Sequence, residues 1–264
     1  MSTLREEEKK RWEEIKEKPF SYKLEYFWDY YKFHVIGIIV AVIIVVSIVK
    51  TIASYRDYAL CVIMVNTEAI TADEAAIEWA SDLEQLLDVD TDKYQVYIDT
   101  SIMIGNGINS NIEYAAMQKL TAYLTSATID VFIADTASYE EYCQNRNLCD
   151  LRDIFTEEEL EQMAGRIYYT DAATYADYDD ITNIHVAEDQ AGYTVDHHDP
   201  DSMEDPIPTG IFVSQDSRIG TSGIYDALKD FEEYQGHPSE AVMGITRNTT
   251  HLDASIEALR YFMN

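Results

Sequence analysis

Two short stretches carry residue types able to hold a ligand. Asp196-His197-His198-Asp199, followed by Asp201, Glu204 and Asp205, gathers imidazoles and carboxylates in one segment. Imidazole nitrogen and carboxylate oxygen suit a divalent cation, so these residues form a candidate metal site. Adjacent histidines on one loop seldom satisfy a single tetrahedral ion, and no fixed ligand spacing is present. The second stretch is Gly105-Asn106-Gly107-Ile108-Asn109-Ser110, which stands before a helical pattern. The free N–H groups of a helix N-terminus can hold an anion or a carboxylate. The same residues also read as a plain turn and cap that need no ligand. Asp88-x-Asp90-x-Asp92 opens like a calcium loop, but Lys93 stands where the sharp turn requires glycine.

Covalent chemistry is poorly represented. Cys143 and Cys149 are close enough in sequence to pair as a small disulfide loop, whereas Cys61 lies in an apolar run and reads as buried and free. No G-x-S-x-G occurs, since Gly220-Thr-Ser-Gly223 has the wrong spacing. H-E-x-x-H and G-x-G-x-x-G are also missing. Acids are so frequent that no single pair of carboxylates points to general acid-base work. The reading is a non-catalytic protein with no cofactor.

The elements that must position these residues fall into three segments. Val35 to Val49 carries no charge and is almost entirely Val, Ile, Ala and Gly. Extended to residues 34–54, it makes a helix of roughly 30 Å, the depth of a bilayer core. The long leader and the length of the apolar stretch favour an uncleaved signal anchor over a removable signal peptide. Eight bases precede the span, and beyond Lys50 and Arg56 no base follows until Lys93. That asymmetry keeps the N-terminus in the cytoplasm and the C-terminal part outside the cell membrane. Residues 1–33 are then a cytoplasmic segment. A charged helix is expected from Leu4 to Lys18 and is broken by Pro19. An aromatic stretch from Lys18 to Phe33 follows, suited to the membrane interface or to a docking partner.

Residues 57–264 hold 41 acids and nine bases, a formal charge of −32. Such a surface repels nucleic acid and anionic lipid. Apolar residues alternate throughout, so this is a folded acidic domain and not a disordered tail. Strands are expected over 58–65, 94–98, 129–134, 207–214 and 241–245. Helices are expected over 71–87, 109–125, 137–145, 156–163, 222–234 and 252–263. Residues 170–206 read as acidic and irregular, with weak strand signals at 184–186 and 192–195. The alternation implies an α/β class: one N-terminal transmembrane helix, then a single, mainly parallel sheet with helices on both faces.

Ile129-Asp-Val-Phe-Ile-Ala-Asp135, Tyr139 and Leu148-Cys-Asp-Leu-Arg-Asp-Ile-Phe155 resemble a stretch of bacterial extracytoplasmic solute-binding proteins. Pro206-Ile-Pro-Thr-Gly-Ile-Phe-Val213 and Met243-Gly-Ile-Thr-Arg-Asn248 resemble that family's returning and closing strands. The leader, with Tyr26-Phe-Trp-Asp-Tyr-Tyr-Lys32, resembles membrane-anchored proteins of Gram-positive bacteria. The resemblance implies about one lobe of a type II periplasmic-binding fold, because some 70 residues between Asp135 and Pro206 are too few for a second.

In open α/β sheets ligands sit beyond the carboxyl ends of the strands. The candidate binding residues are therefore Asn66, Thr67, Gly105, Asn106, Asn109, Ser110, Asp135, Thr136 and Ser214. The partners this implies are the lipid bilayer, through one helix, and either a small molecule or a membrane protein, but not nucleic acid. An enzyme without a recognisable motif is the third alternative.

Overall fold

The computed structural model describes residues 18–53, 55–105, 110–174, 195–230 and 239–264. The chain divides into two compact units, Met1–Tyr55 and Arg56–Asn264.

In the first unit, helix α1 runs over Phe20–Ala53, directly after Pro19. Its segment Tyr31–Thr51 has a mean hydropathy of 2.7, and none of it is buried. A core helix would bury such side chains; here Ile39, Ile43 and Val46 are each half exposed. The aromatic stretch from Phe20 and the apolar stretch form one continuous helix. The charged helix expected from Leu4 lies, as far as Glu17, outside the described residues.

The second unit is a mixed α/β domain built on a six-stranded sheet in the order β2-β1-β3-β6-β5-β4. Strand β1 (Asp57–Val65) is its spine, and its last six residues are fully covered. A continuous apolar run of this kind is what a strand buried on both faces requires. It pairs in parallel with β2 (Tyr94–Ile102) and with β3 (Val131–Asp135). The other half is antiparallel throughout, with strands alternating in direction. Strand β6 (Ala241–Ile245) is antiparallel to β3, β5 (Pro206–Phe212) to β6, and β4 (Ile167–Asp171) to β5. The α/β class holds, but the expectation of a mainly parallel sheet is corrected. After β3 the chain crosses to the far edge, lays down β4, and returns towards β3 through antiparallel neighbours.

Strand alternation sends side chains to two cores. On one face, Leu60, Val62 and Met64 of β1 meet Ala76, Trp79 and Leu83 of helix α2 (Ala69–Leu86). Helix α7 (Leu252–Met263) adds Ala258, Leu259 and Phe262 to that face, with Phe262 edge-on to Trp79 at 5.5 Å. On the other face, Cys61, Ile63 and Val65 meet Ala116 and Leu120 of α3 (Ser110–Thr125). Helix α4 (Thr136–Gln144) contributes Tyr139, Tyr142 and Cys143 there. Tyr139 lies against β5 and β6 where Gly210 and Gly244 present no Cβ, and its hydroxyl donates to the Thr209 carbonyl at 2.8 Å.

Local signals set several helix ends. Thr156 and Glu159 form a reciprocal capping box on α5 (Glu157–Gln162). Of the helix expected over 222–234, residues 231–234 lie outside the described residues; the rest holds the end of α6 (Arg218–Ser222) and a 3-10 turn at Asp226–Asp230. Ser217 caps α6 through Gly220 N–H, and Gly223, with φ of 72°, ends it in the left-handed conformation. Strand β4 falls where no strand was expected. The weak strand signal at 184–186 lies outside the described residues, as does that at 192–195 except for Val195, which is in no strand.

Candidate functional site

The carboxyl ends of β1, β2 and β3 are tied together by one side chain. Asn66 follows β1 with a left-handed backbone, φ 58°, which asparagine tolerates better than most residues. Its Nδ2 donates to Asp135 Oδ2 at 2.6 Å and to Ser138 Oγ at 3.4 Å. Its Oδ1 accepts from Ile104 N–H, just beyond β2, at 2.8 Å. Asp135 in turn caps α4, accepting from Ser138 N–H at 3.1 Å and Ser138 Oγ at 2.8 Å. Thr67 Oγ1 donates to the Thr100 carbonyl at 3.0 Å, and Thr136 Oγ1 donates to the Glu240 carbonyl at 3.0 Å.

Asn66, Thr67, Asp135 and Thr136 therefore lie at one end of the sheet; Asn66 and Asp135 bond each other, and the two threonines bond backbone carbonyls. Ser214 lies beyond β5, and its hydroxyl accepts from Arg166 Nη1 at 3.1 Å. Gly105 has φ of 111°, a conformation that favours glycine, and its N–H donates to Glu113 Oε1 at 3.1 Å. Ser110 is the first residue of α3. Asn106 and Asn109 lie outside the described residues.

Beside this hub is a cavity of about 560 Å³. Ile104 and Gly105 close one side, Glu113, Tyr114 and Met117 of α3 a second, and Ala137, Ser138 and Glu141 of α4 a third. Spacings of four and three residues put Glu113 with Met117, and Ser138 with Glu141, on common helix faces. Tyr114 is 66% exposed and Met117 40%. Among the described residues the Glu141 carboxylate makes no hydrogen bond or ion pair; only its backbone carbonyl is used, by Asn145. Sequence reasoning placed the cavity's neighbourhood through Gly105 but missed Glu113, Tyr114, Met117 and Glu141. The available signal was an α3 pattern with apolar residues on more than one face, leaving Ile112 and Tyr114 exposed.

Helix α3 is anchored below the cavity by a charge pair. Lys119 Nζ lies 2.5 Å from Asp99 Oδ2 and donates to Ser101 Oγ at 2.8 Å. Burial alone would raise the Asp99 carboxyl, but Lys119 and Ser101 outweigh it and hold the group below the usual aspartate range.

The candidate metal residues do not converge. Among the described residues no group of three or more His, Cys, Asp or Glu is placed to hold an ion. His197 is buried, stacked on Tyr168 at 4.4 Å, with Nδ1 donating to the Tyr169 carbonyl at 2.8 Å and Nε2 3.3 Å from Glu140. His198 stacks on Phe212 at 3.9 Å and places Nε2 2.8 Å from Glu240. Asp196 and Asp199 accept from backbone amides of their own loop. The two imidazoles fasten the loop to different parts of the domain.

The expected Cys143–Cys149 disulfide is also corrected. All three cysteines are free. Cys143 belongs to the core under α4, while Cys149 packs against the core on the opposite face of the sheet. Burial pushes the Cys143 thiol up to about 12. Burial, then the Asp130 carboxylate, pushes Cys61 up to about 12. Neither is a nucleophile at neutral pH.

A second cavity, of about 450 Å³, lies at the other end of the sheet among Arg146, Arg247, Asp150, Asp153 and Asp205. Asp150 there already holds Arg152 at 2.5 Å. Nearby, buried Asp130 accepts from Cys61 N–H at 2.8 Å and from Thr249 Oγ1 at 2.5 Å, and lies 3.2 Å from His251 Nδ1. These contacts join β1, β3 and the start of α7. The two aspartates that bracket β3, Asp130 and Asp135, thus each tie the chain together at one end of the sheet.

No protein-family model matches the chain, and no curated protein matches it. Among solved structures, a substrate-binding domain ascribed to a molybdenum ABC transporter of Clostridium difficile is similar at a TM-score of 0.33 and 7% identity. The match covers 79% of this chain and 93% of that one. A likeness of this size identifies neither fold nor function.

Proposed function

We propose that this protein is a membrane-anchored, extracytoplasmic and non-catalytic binding module of solute-binding character. Its small organic ligand would sit in the cavity beyond the carboxyl ends of β1, β2 and β3. The single observation that carries this reading is that cavity: a concave site of ligand size, bordered by a hydrogen-bonded hub that fixes its walls. Its position at the carboxyl ends of parallel strands agrees with the general rule for α/β sheets. The unburied apolar helix α1 supports a bilayer anchor, and the distribution of bases supports an outward-facing domain. A membrane-protein partner is the second reading, favoured by the exposure of Ile112 and Tyr114 on α3.

The test is thermal unfolding of residues 56–264, which hold both cores, against amino acids, sugars, short peptides and divalent cations. A ligand at 100 times its Kd should add about 2.7 kcal/mol of stability. Ala137→Trp, which fills the cavity, should abolish that shift. No shift with any class, or a shift indifferent to Ala137→Trp, contradicts the reading and favours the protein partner.

A further inference from the structure

We propose that the cavity between α3 and α4 selects organic cations with an apolar body; this rests on the strand-end binding reading above. An anion would need free N–H groups, and three that border the cavity are already used. Ile104 N–H donates to Asn66 Oδ1 at 2.8 Å, Gly105 N–H to Glu113 Oε1 at 3.1 Å, and Ser138 N–H to Asp135 Oδ1 at 3.1 Å. The positive end of α4 is thus covered by a carboxylate, not open to a ligand.

What the lining offers instead is acceptors and soft apolar surface. Glu113 has a second carboxylate oxygen, and the Glu141 carboxylate makes no hydrogen bond or ion pair among the described residues. Tyr114 and Met117 present a ring and a thioether, both exposed. Among the described residues no lysine or arginine lines the cavity. An ammonium group beside two carboxylates, with an apolar body against an aromatic ring and a methionine, fits this set. The field of a domain with a formal charge of −32 draws the same ligands towards it.

The test uses the full chain in nanodiscs of zwitterionic lipid, with carbon-labelled methionine methyls observed by NMR and the Met117 signal assigned through Met117→Leu. The probes are phenethylammonium, benzyltrimethylammonium, phenethyl alcohol and phenylacetate, which share a ring and differ in charge. Both cations should move the Met117 methyl and bind about tenfold more tightly than the alcohol or the anion. Glu141→Gln should weaken the cations about fivefold and leave the alcohol unchanged. Equal binding of cation and alcohol, or a preference for phenylacetate, overturns the cation inference while the strand-end site stands. A Met117 methyl that moves with none of the four overturns both.

Discussion

Asn66 combines a left-handed backbone with three hydrogen bonds, and the two contributions separate by substitution. Asn66→Ala strands the Ile104 amide and removes a donor from Asp135, both in buried surroundings. The expected loss is about 2–4 kcal/mol in urea unfolding, combining unsatisfied polar groups with backbone strain. Asn66→Gly loses the same bonds but adopts φ of 58° freely, so it should cost about 1 kcal/mol less than Asn66→Ala. Equal costs would show that the backbone is unstrained. The thiols give a second prediction. Cys61 and Cys143 titrate at about 12 in the fold against 9.0 in the unfolded chain. Their folded values are raised, so their contribution is complete below pH 9.0 and is lost as pH climbs towards about 12. Each should cost roughly 1.4 kcal/mol per pH unit in that window. A Cys61→Ala, Cys143→Ala double variant should therefore show a flatter stability profile above pH 9, and an unchanged slope would refute the assignment. With an aromatic disulfide reagent at neutral pH, half-buried Cys149 should react before either of the others.

At the scale of elements, α4 is the piece that joins sheet, hub and cavity, and its seat depends on two absent side chains. A Cβ on Gly244 or Gly210 would collide with the Tyr139 hydroxyl. Gly244→Ala should destabilise by about 2–3 kcal/mol or more. Tyr139→Phe alone should cost about 1 kcal/mol, through loss of the bond to Thr209. Combined, the two should cost clearly less than their sum, because removing the hydroxyl makes room; simple additivity in urea unfolding would contradict this contact. The same elements show what the sequence could and could not reveal. Strands with unbroken apolar runs, β1 and β6, were legible because burial on both faces leaves no room for polar residues. The capping box at Thr156 and Glu159 was legible because both partners are local. Strand β4 was not, since a five-residue edge strand carries too short a pattern to separate from the acidic segment around it. Strand direction was not legible either, because helix-strand alternation does not encode the crossover that takes the chain from β3 to the far edge. The hub positions Asn66, Thr67, Asp135 and Thr136 followed from strand ends alone. The cavity walls on α3 and α4 depend on how two helices meet, a relation that local spacing does not contain.

On the scale of the whole molecule, two unlike units share one chain: an unburied apolar helix and an acidic α/β domain. The helix supplies the length for one crossing of a bilayer. The domain's charge disfavours nucleic acid and anionic surfaces and favours the approach of cations, which agrees with a carboxylate-lined cavity. The proposed role depends on that domain facing outward, where a small ligand can reach it. Cysteine accessibility in intact cells tests this most directly, with Cys149→Ser as the background for two single substitutions at exposed sites, Ser21→Cys and Asp201→Cys. A membrane-impermeant maleimide should label Asp201→Cys in intact cells, and label Ser21→Cys only after the membrane is permeabilised. Labelling of Ser21→Cys in intact cells, with Asp201→Cys protected until permeabilisation, would put the acidic domain in the cytoplasm and contradict an extracytoplasmic binding module.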